Sequence, residues 1–116
     1  MLFLYYPKCS TCKNAKKYLD AKGISYTARD IKEQNPNFEE IKNIYEKSNL
    51  PLKQFFNTSG LVYKNLNLKD KLPTMTQDEQ LELLATNGML IKRPILVSKN
   101  YVLVGFKENI WQETIN

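Results

Sequence analysis

The residues best suited to chemistry are the two cysteines of the motif Cys9-Ser10-Thr11-Cys12. A cysteine reacts as its thiolate, and an ordinary thiol, with a pKa of about 8.5, is only a few per cent ionised at neutral pH. Cys9 is predicted to lie at a helix N-terminus, where unpaired amides favour the thiolate. Lys8, Lys13 and Lys16 would add positive charge in the same region. The motif therefore indicates an activated thiol.

Cys12 follows Cys9 by three positions, a spacing that suits a redox pair. Residues three apart on a helix have Cβ atoms about 5–6 Å apart, and a disulfide needs about 3.5–4.5 Å, so a small adjustment closes the bridge. Cys9 is expected to be the exposed nucleophile, and Cys12, one turn inside the helix, to resolve the mixed disulfide. Two alternatives stay open: a pair of ordinary cysteines, or half of a metal site shared with another chain.

A second candidate feature is Lys92-Arg93-Pro94, which precedes the predicted strand Ile95-Leu96-Val97. A residue before proline is driven to an extended conformation, and a cis bond is accessible at such a position. Arg93 could then point a permanent positive charge at the thiolate or at an anionic substrate. The alternative is a loop proline beside a solvated arginine.

Four aromatic residues could line a groove near the site or simply belong to the core: Tyr5, Tyr6, Phe55 and Phe56.

Length and composition exclude several classes of protein. The 116 residues, 42% apolar and 25% charged, predict a single globular domain spanning residues 1–116. The absence of histidine excludes mechanisms that need an imidazole, and two cysteines supply only half the ligands of a structural zinc site. A net charge of +5 without any block of like charge favours a solvated surface over direct nucleic-acid binding. No leader or membrane-spanning segment is seen, so a soluble, cytoplasmic protein with no membrane association is expected.

The elements around the cysteines predict a βαβ unit. Residues 2–6 form a short apolar strand, and a helix from Ser10 or Thr11 to Ala21 is stopped by Gly23. Alternation over residues 24–29 predicts the second strand. The motif Cys9-Ser10-Thr11-Cys12 therefore falls at the first strand-to-helix junction.

The rest of the chain predicts a helical insert at about residues 36–90, followed by a ββα unit. Helices are expected to start at residues 36–40, after Pro51 and after Thr76, whereas residues 61–68 are ambiguous. Residues 95–97 and 101–104 read as an antiparallel hairpin, and residues from Lys107 onward read as a closing helix. The expected fold is α/β and thioredoxin-like, with βαβ and ββα halves around a mixed four-stranded sheet.

Three segments taken together resemble the glutaredoxin-type arsenate reductase (ArsC) and Spx family. They are Tyr6 to Cys12, Gly88 to Ile95 and the ending Val104-Gly105-Phe106, and the likeness runs nearly end to end. The resemblance implies a thioredoxin-like fold with an inserted helical subdomain and Cys9 as the nucleophile. In that fold the proline at Pro94 faces the cysteine motif. The residues expected to support the substrate or an anion are Lys8, Ser10, Thr11 and Pro94.

The resemblance implies three candidate functions for a chain of unassigned substrate. The first is a thiol–disulfide oxidoreductase, without a bound cofactor and monomeric, that takes electrons from glutathione or a thioredoxin-type partner. The second is an Spx-like redox sensor that binds the RNA polymerase α subunit, although Pro51 stands where Spx has a glycine for that contact. The third is arsenate reduction. Of the three arginines that hold the oxyanion there, Arg93 matches one, and Asn57 and Gly105 replace the others.

Overall fold

The computed structural model describes residues 1–115 and contains a four-stranded mixed sheet. The strands lie in the order β2-β1-β3-β4; β1 runs parallel to β2 and antiparallel to β3, which pairs antiparallel with β4. The predicted combination of βαβ and ββα halves is thereby confirmed. The strands are β1 (Leu2–Tyr5), β2 (Thr27–Asp30), β3 (Ile95–Val97) and β4 (Val102–Val104).

Alternation along the central strands builds a core on each face of the sheet. Phe3 and Leu4 are both fully buried, but they belong to different clusters because successive side chains of a strand point to opposite faces. Phe3 packs with Leu19 and Trp111 on one face, and Leu4 packs against the residues inserted between β2 and β3. The sheet is therefore covered on both sides.

Helix α1 (Ser10–Ala21) confirms the helix predicted after the cysteine motif. It buries Cys12 and Leu19 on the face that meets the sheet, and it ends before Gly23, whose φ of +68° lies in the left-handed region that glycine adopts readily. The second strand was expected over residues 24–29 but covers Thr27–Asp30. A strand needs a partner, and pairing with β1 begins only at Leu2 opposite Thr27.

The segment between β2 and β3 is mostly helical, and two of its helix starts are the predicted ones. Asn37 and Thr76 each accept a hydrogen bond from the third helical residue, Glu40 or Glu79, whose side chain bonds back to the cap. The ambiguous stretch 61–68 forms one short helix and the start of another. The helices are α2 (Phe38–Ser48), α3 (Leu61–Asn65), α4 (Leu68–Lys71) and α5 (Gln77–Thr86), with 3₁₀ turns at Leu52–Phe55, Leu72–Thr74 and Gly88–Leu90.

Helix α6 (Glu108–Ile115) closes the chain as predicted. Its Trp111 is almost fully buried and donates a hydrogen bond from Nε1 to the carbonyl of Gly105 at 3.0 Å. This contact ties the helix to the end of β4. Among residues 1–115, no helix combines the length and the apolar character required to cross a bilayer.

Candidate redox site

Cys9 occupies the N-cap of α1. Its backbone is extended, and its Sγ accepts a hydrogen bond from the N–H of Cys12 at 3.4 Å, the role that a Ser or Asp side chain usually plays. The N–H of Cys9 donates to the carbonyl of Tyr6 at 3.0 Å, which closes the turn out of β1. Cys9 is partly exposed. The strand-to-helix turn thus presents one sulfur at the surface beside unpaired helix amides.

Cys12 lies beneath Cys9 and is fully buried. Its Sγ accepts a hydrogen bond from the N–H of Tyr6 at 3.4 Å, so Tyr6 leaves the sheet where the strand had been expected to include it. Both cysteines are free thiols. One accessible and one covered sulfur on the same helix turn suit an attacking and a resolving thiol.

The two thiols have pKa values displaced in opposite directions. Partial burial acts to raise the pKa of Cys9, but hydrogen bonds from Cys12, the charge of Arg93 and the Thr11 amide outweigh it and hold the pKa below its ordinary value. Burial raises the pKa of Cys12 to about 12, and the neighbouring Cys9 sulfur acts in the same direction. Cys9 is therefore the thiol that ionises first.

Arg93 lies over the ring of Tyr6, with its guanidinium carbon 5.2 Å from the ring centroid. Its Nη1 donates to the carbonyl of Ile91 at 3.4 Å, and its buried Nε has no hydrogen-bond partner within residues 1–115. The Arg93–Pro94 bond is cis, and Pro94 is buried at the start of β3. From the segment just before β3, the positive charge of Arg93 thus acts to lower the pKa of both cysteines.

A cavity of about 580 Å³ opens beside Cys9. It brings together Thr11, Arg93, Asn57 and Gly105, which come from the N-terminus of α1, the start of β3, the insert and the end of β4. Asn57 and Gly105, which were expected from the sequence to match oxyanion-binding arginines of arsenate reductases, therefore line the same space as Arg93. Its size is that of a small-molecule site.

Several expected site residues lie elsewhere. Lys8 and Ser10 are exposed, and neither of them, nor Pro94, is among the residues within 1–115 that line the cavity. Lys16 does not serve the thiolate; its ammonium binds Asp20 at 3.3 Å and the hydroxyl of Tyr26 at 3.0 Å. The roles of Lys8, Ser10, Thr11 and Pro94 toward a substrate stay predictions.

The aromatic groove considered from the sequence is largely core. Phe55 and Phe56 are buried in the cluster beneath the insert, with 0% and 2% of their surfaces exposed. Tyr6 instead supports Arg93. The large apolar side chains that do line the cavity are those of Leu61 and Phe106.

Sequence reasoning missed Lys92 and Lys107 as cavity residues. Lys92 was seen only as part of the segment before Pro94, and Lys107 only as the start of a helix. The signal that could have found them is their position in the sequence, since Lys92 is next to Arg93 and Lys107 follows shortly after Gly105.

Residues 1–115 hold no group of three or more His, Cys, Asp and Glu side chains placed to share a metal ion.

The model of the ArsC family matches residues 4–114 of this chain. The chain is 55% identical to the uncharacterized protein YusI of Bacillus subtilis over 97% of its own length and 96% of that protein. It is 32% identical to the global transcriptional regulator Spx of Enterococcus faecalis, covering 94% of this chain and 82% of Spx.

Solved structures agree with the sequence comparisons. An ArsC family related protein from Bacteroides fragilis superposes with a TM-score of 0.94 and 57% identity, covering 97% of this chain and 94% of that one. A crystal structure from Streptococcus mutans, described as a possible arsenate reductase, superposes with a TM-score of 0.85 and 50% identity, covering 91% of this chain and 90% of that one. From the end-to-end family match and these relatives, we conclude that the chain belongs to the ArsC family.

Proposed function

We propose that this protein is a thiol–disulfide oxidoreductase in which Cys9 is the nucleophile and Cys12 the resolving thiol. The observation that carries the proposal is the pairing of a partly exposed thiol of lowered pKa with a buried thiol whose pKa is raised to about 12. In a dithiol of this kind, the exposed thiol is ionised and attacks the substrate, and the buried thiol reacts only in the later, resolving step. The protein would act in a reducing compartment such as the cytoplasm, where thiols are kept reduced.

The first step is attack by the Cys9 thiolate on one sulfur of a disulfide substrate. A bond forms between that sulfur and Sγ of Cys9, the substrate's own sulfur–sulfur bond breaks, and its other half leaves as a thiolate that takes a proton from water. Arg93 stabilises the thiolate before attack. The mixed disulfide then occupies the cavity beside Cys9.

The second step becomes easier because the first has occurred. Once Cys9 is in a mixed disulfide, its negative charge is gone, and with it one influence that raises the pKa of Cys12. The Tyr6 amide and Arg93 still favour the Cys12 thiolate. Cys12 loses its proton to water and attacks Sγ of Cys9, and the bond between Cys9 and the substrate sulfur breaks. The second substrate thiolate leaves and takes up a proton, and the Cys9–Cys12 disulfide remains, so the protein has given up two electrons. Glutathione or a thioredoxin-type dithiol would return the protein to its reduced state.

The experiment compares reduction of insulin and of hydroxyethyl disulfide by wild type, Cys9→Ser and Cys12→Ser. We expect wild type to be active, Cys9→Ser to be inactive, and Cys12→Ser to accumulate a covalent mixed disulfide that mass spectrometry detects. A wild type that reduces neither substrate would refute the proposal. So would a Cys9→Ser variant that retains the activity.

The second candidate function is an Spx-like redox sensor, favoured by the 32% identity to Spx. Pro51 precedes the 3₁₀ turn Leu52–Phe55 and is exposed, but it offers no N–H to a partner. A pull-down of the RNA polymerase α subunit in oxidant and in reductant tests this candidate. Binding in neither state would eliminate it.

Arsenate reduction is the third candidate, and the Streptococcus mutans structure is the relative that favours it. Only Arg93 of the three expected arginine positions carries a guanidinium, so bidentate contacts to an oxyanion are lost at Asn57 and Gly105. We expect little arsenate-dependent NADPH consumption in a coupled assay. Consumption that matches the disulfide activity would instead favour this candidate.

A further inference from the structure

The side chain of Lys92 lies across Gly105 at the edge of the cavity. A Cβ placed on Gly105 would be 3.1 Å from Cε of Lys92 and 3.8 Å from its Nζ, so the missing side chain of the glycine leaves room for the lysine. The backbone of Lys92 is anchored, because its N–H donates to the carbonyl of Phe55 at 2.8 Å and the neighbouring Ile91 pairs with Phe56. Lys92 is therefore held at the cavity by the junction between the insert and β3.

The cavity carries positive charge, and no carboxylate side chain is among the lining residues that the structure describes. Lys92, Arg93 and Lys107 line it together with Cys9, and none of the lining residues within the described 1–115 is Asp or Glu. Neither lysine forms an ion pair with any of the residues that the structure describes. The other polar groups of the lining, Thr11, Asn57 and Ser59, are neutral. A disulfide that reaches Cys9 thus meets three cations.

We propose that Lys92 and Lys107 determine charge specificity, so that the site prefers disulfides of small thiols that carry carboxylates over neutral or cationic ones. This inference rests on the proposed thiol–disulfide activity. The carboxylate would pair with Lys92 or Lys107 while the adjacent substrate sulfur is attacked by Cys9. The carboxylated thiolate that leaves would also be stabilised by the same cations. A cavity of about 580 Å³ has the volume of a site for a small molecule.

The test compares two aromatic disulfides of opposite charge character, the dianionic dithiobis(nitrobenzoate) and the neutral dithiodipyridine. Each is attacked by Cys9 and releases one chromophoric thiol, and resolution by Cys12 releases the second, so stopped-flow absorbance follows both steps. Second-order rate constants are measured for reduced wild type, Lys92→Gln, Lys107→Gln and the double variant. Lys99→Gln is the matched control, because Lys99 is exposed in the turn at the other end of the β3–β4 hairpin and does not line the cavity.

We expect each cavity variant to lower the rate with the dianion by about two- to fivefold, the size of an exposed charge contact, and to leave the neutral rate within about twofold. The double variant should lower the dianion rate further, and added salt should narrow the difference between the wild-type rates for the two probes. Lys99→Gln should behave as wild type.

Three results would overturn the inference. An equal fall for both probes would mean that the lysines act on Cys9 itself, and an equal fall in Lys99→Gln would mean that only the net charge matters. Unchanged rates with the dianion would mean that neither lysine meets the substrate. These results leave the proposed function intact if wild type still reacts with both probes, whereas a wild type that reacts with neither refutes the proposed function.

Discussion

The backbone N–H of Cys12 donates a hydrogen bond to Sγ of Cys9, with the donor nitrogen and the sulfur 3.4 Å apart. One cysteine therefore supports the ionised form of the other, while its own sulfur is buried beside Tyr6. This asymmetry between two neighbouring thiols, together with Arg93 opposite them, gives rise to the first three predictions below.

Arg93→Gln should raise the pKa of Cys9, because removal of the guanidinium charge removes one of the influences that lower it. In wild type, the midpoint of iodoacetamide alkylation against pH should lie below that of an ordinary thiol, and it should move upward in the variant. Cys12 does not interfere, because its pKa is about 12. Lys99→Gln is the control for a general loss of charge. An unchanged midpoint in Arg93→Gln would contradict the geometry.

The same substitution should make the Cys9–Cys12 couple more reducing. Arg93 stabilises the reduced form through the Cys9 thiolate, and the disulfide has no charge for it to stabilise. The reduction potential should fall by about 30 mV for each unit of increase in the Cys9 pKa, provided that the assay pH keeps Cys9 ionised. Equilibration with a glutathione buffer measures it, at a pH above the alkylation midpoints of both wild type and Arg93→Gln. A potential that moves in the positive direction would refute the argument.

Stability should decline at alkaline pH because of Cys12. The unfolded thiol titrates near 8.5 and the native one at about 12, so above pH 8.5 only the unfolded state loses its proton and is favoured. The loss should reach about 1 kcal/mol at pH 9.5 and continue toward pH 12. The lowered pKa of Cys9 has the opposite pH dependence. Its contribution to the free energy of unfolding is complete above about pH 8.5 and disappears as pH falls through the native pKa of Cys9.

Urea unfolding in a reductant at pH 8 and pH 9.5 measures the Cys12 contribution. Cys12→Ala should show a smaller decline between these two pH values than wild type. Lysine and tyrosine titrations are common to both proteins and cancel in the comparison. A decline of the same size in the variant would assign it to groups other than Cys12.

Gly105→Ala should reduce both stability and preference for anionic disulfides. Gly105 has a φ of +75°, so a Cβ there is strained by about 1 kcal/mol, and that Cβ would also crowd Cε of Lys92. Gly23→Ala is a matched control, because Gly23 has a φ of +68° and, apart from its two chain neighbours, none of residues 1–115 has an atom within 4 Å of the added Cβ. We expect similar losses in thermal unfolding for the two variants. Only Gly105→Ala should slow the reaction with dithiobis(nitrobenzoate) relative to dithiodipyridine, and an equal effect of both variants would argue against Lys92.

Much of the fold follows from the sequence because its signals are local. Thr76 was recognised as a helix cap, and a helix start was placed at residues 36–40, since a capping box is complete within four residues. Phe3 and Leu4 belong to the apolar run that predicted a strand, and both are fully buried, on opposite faces of the sheet. The start of β2 was misplaced because Thr27 joins the sheet only where β1 supplies a partner, which the alternation of residues 24–29 does not reveal.

The sequence by itself predicted the cysteine pair and its position at a helix start, because spacing on one helix turn and a helix N-terminus depend only on adjacent residues. It is also the source of the proposed order of attack and resolution. Tertiary structure decided what surrounds the pair. Lys16, expected to support Cys9, pairs with Asp20 and Tyr26 instead, whereas Lys92 lies across Gly105 beside the cavity. The reason is physical: a side chain several bonds long contacts whatever the fold packs beside it, and for Lys92 that depends on how the insert, β3 and the end of β4 meet.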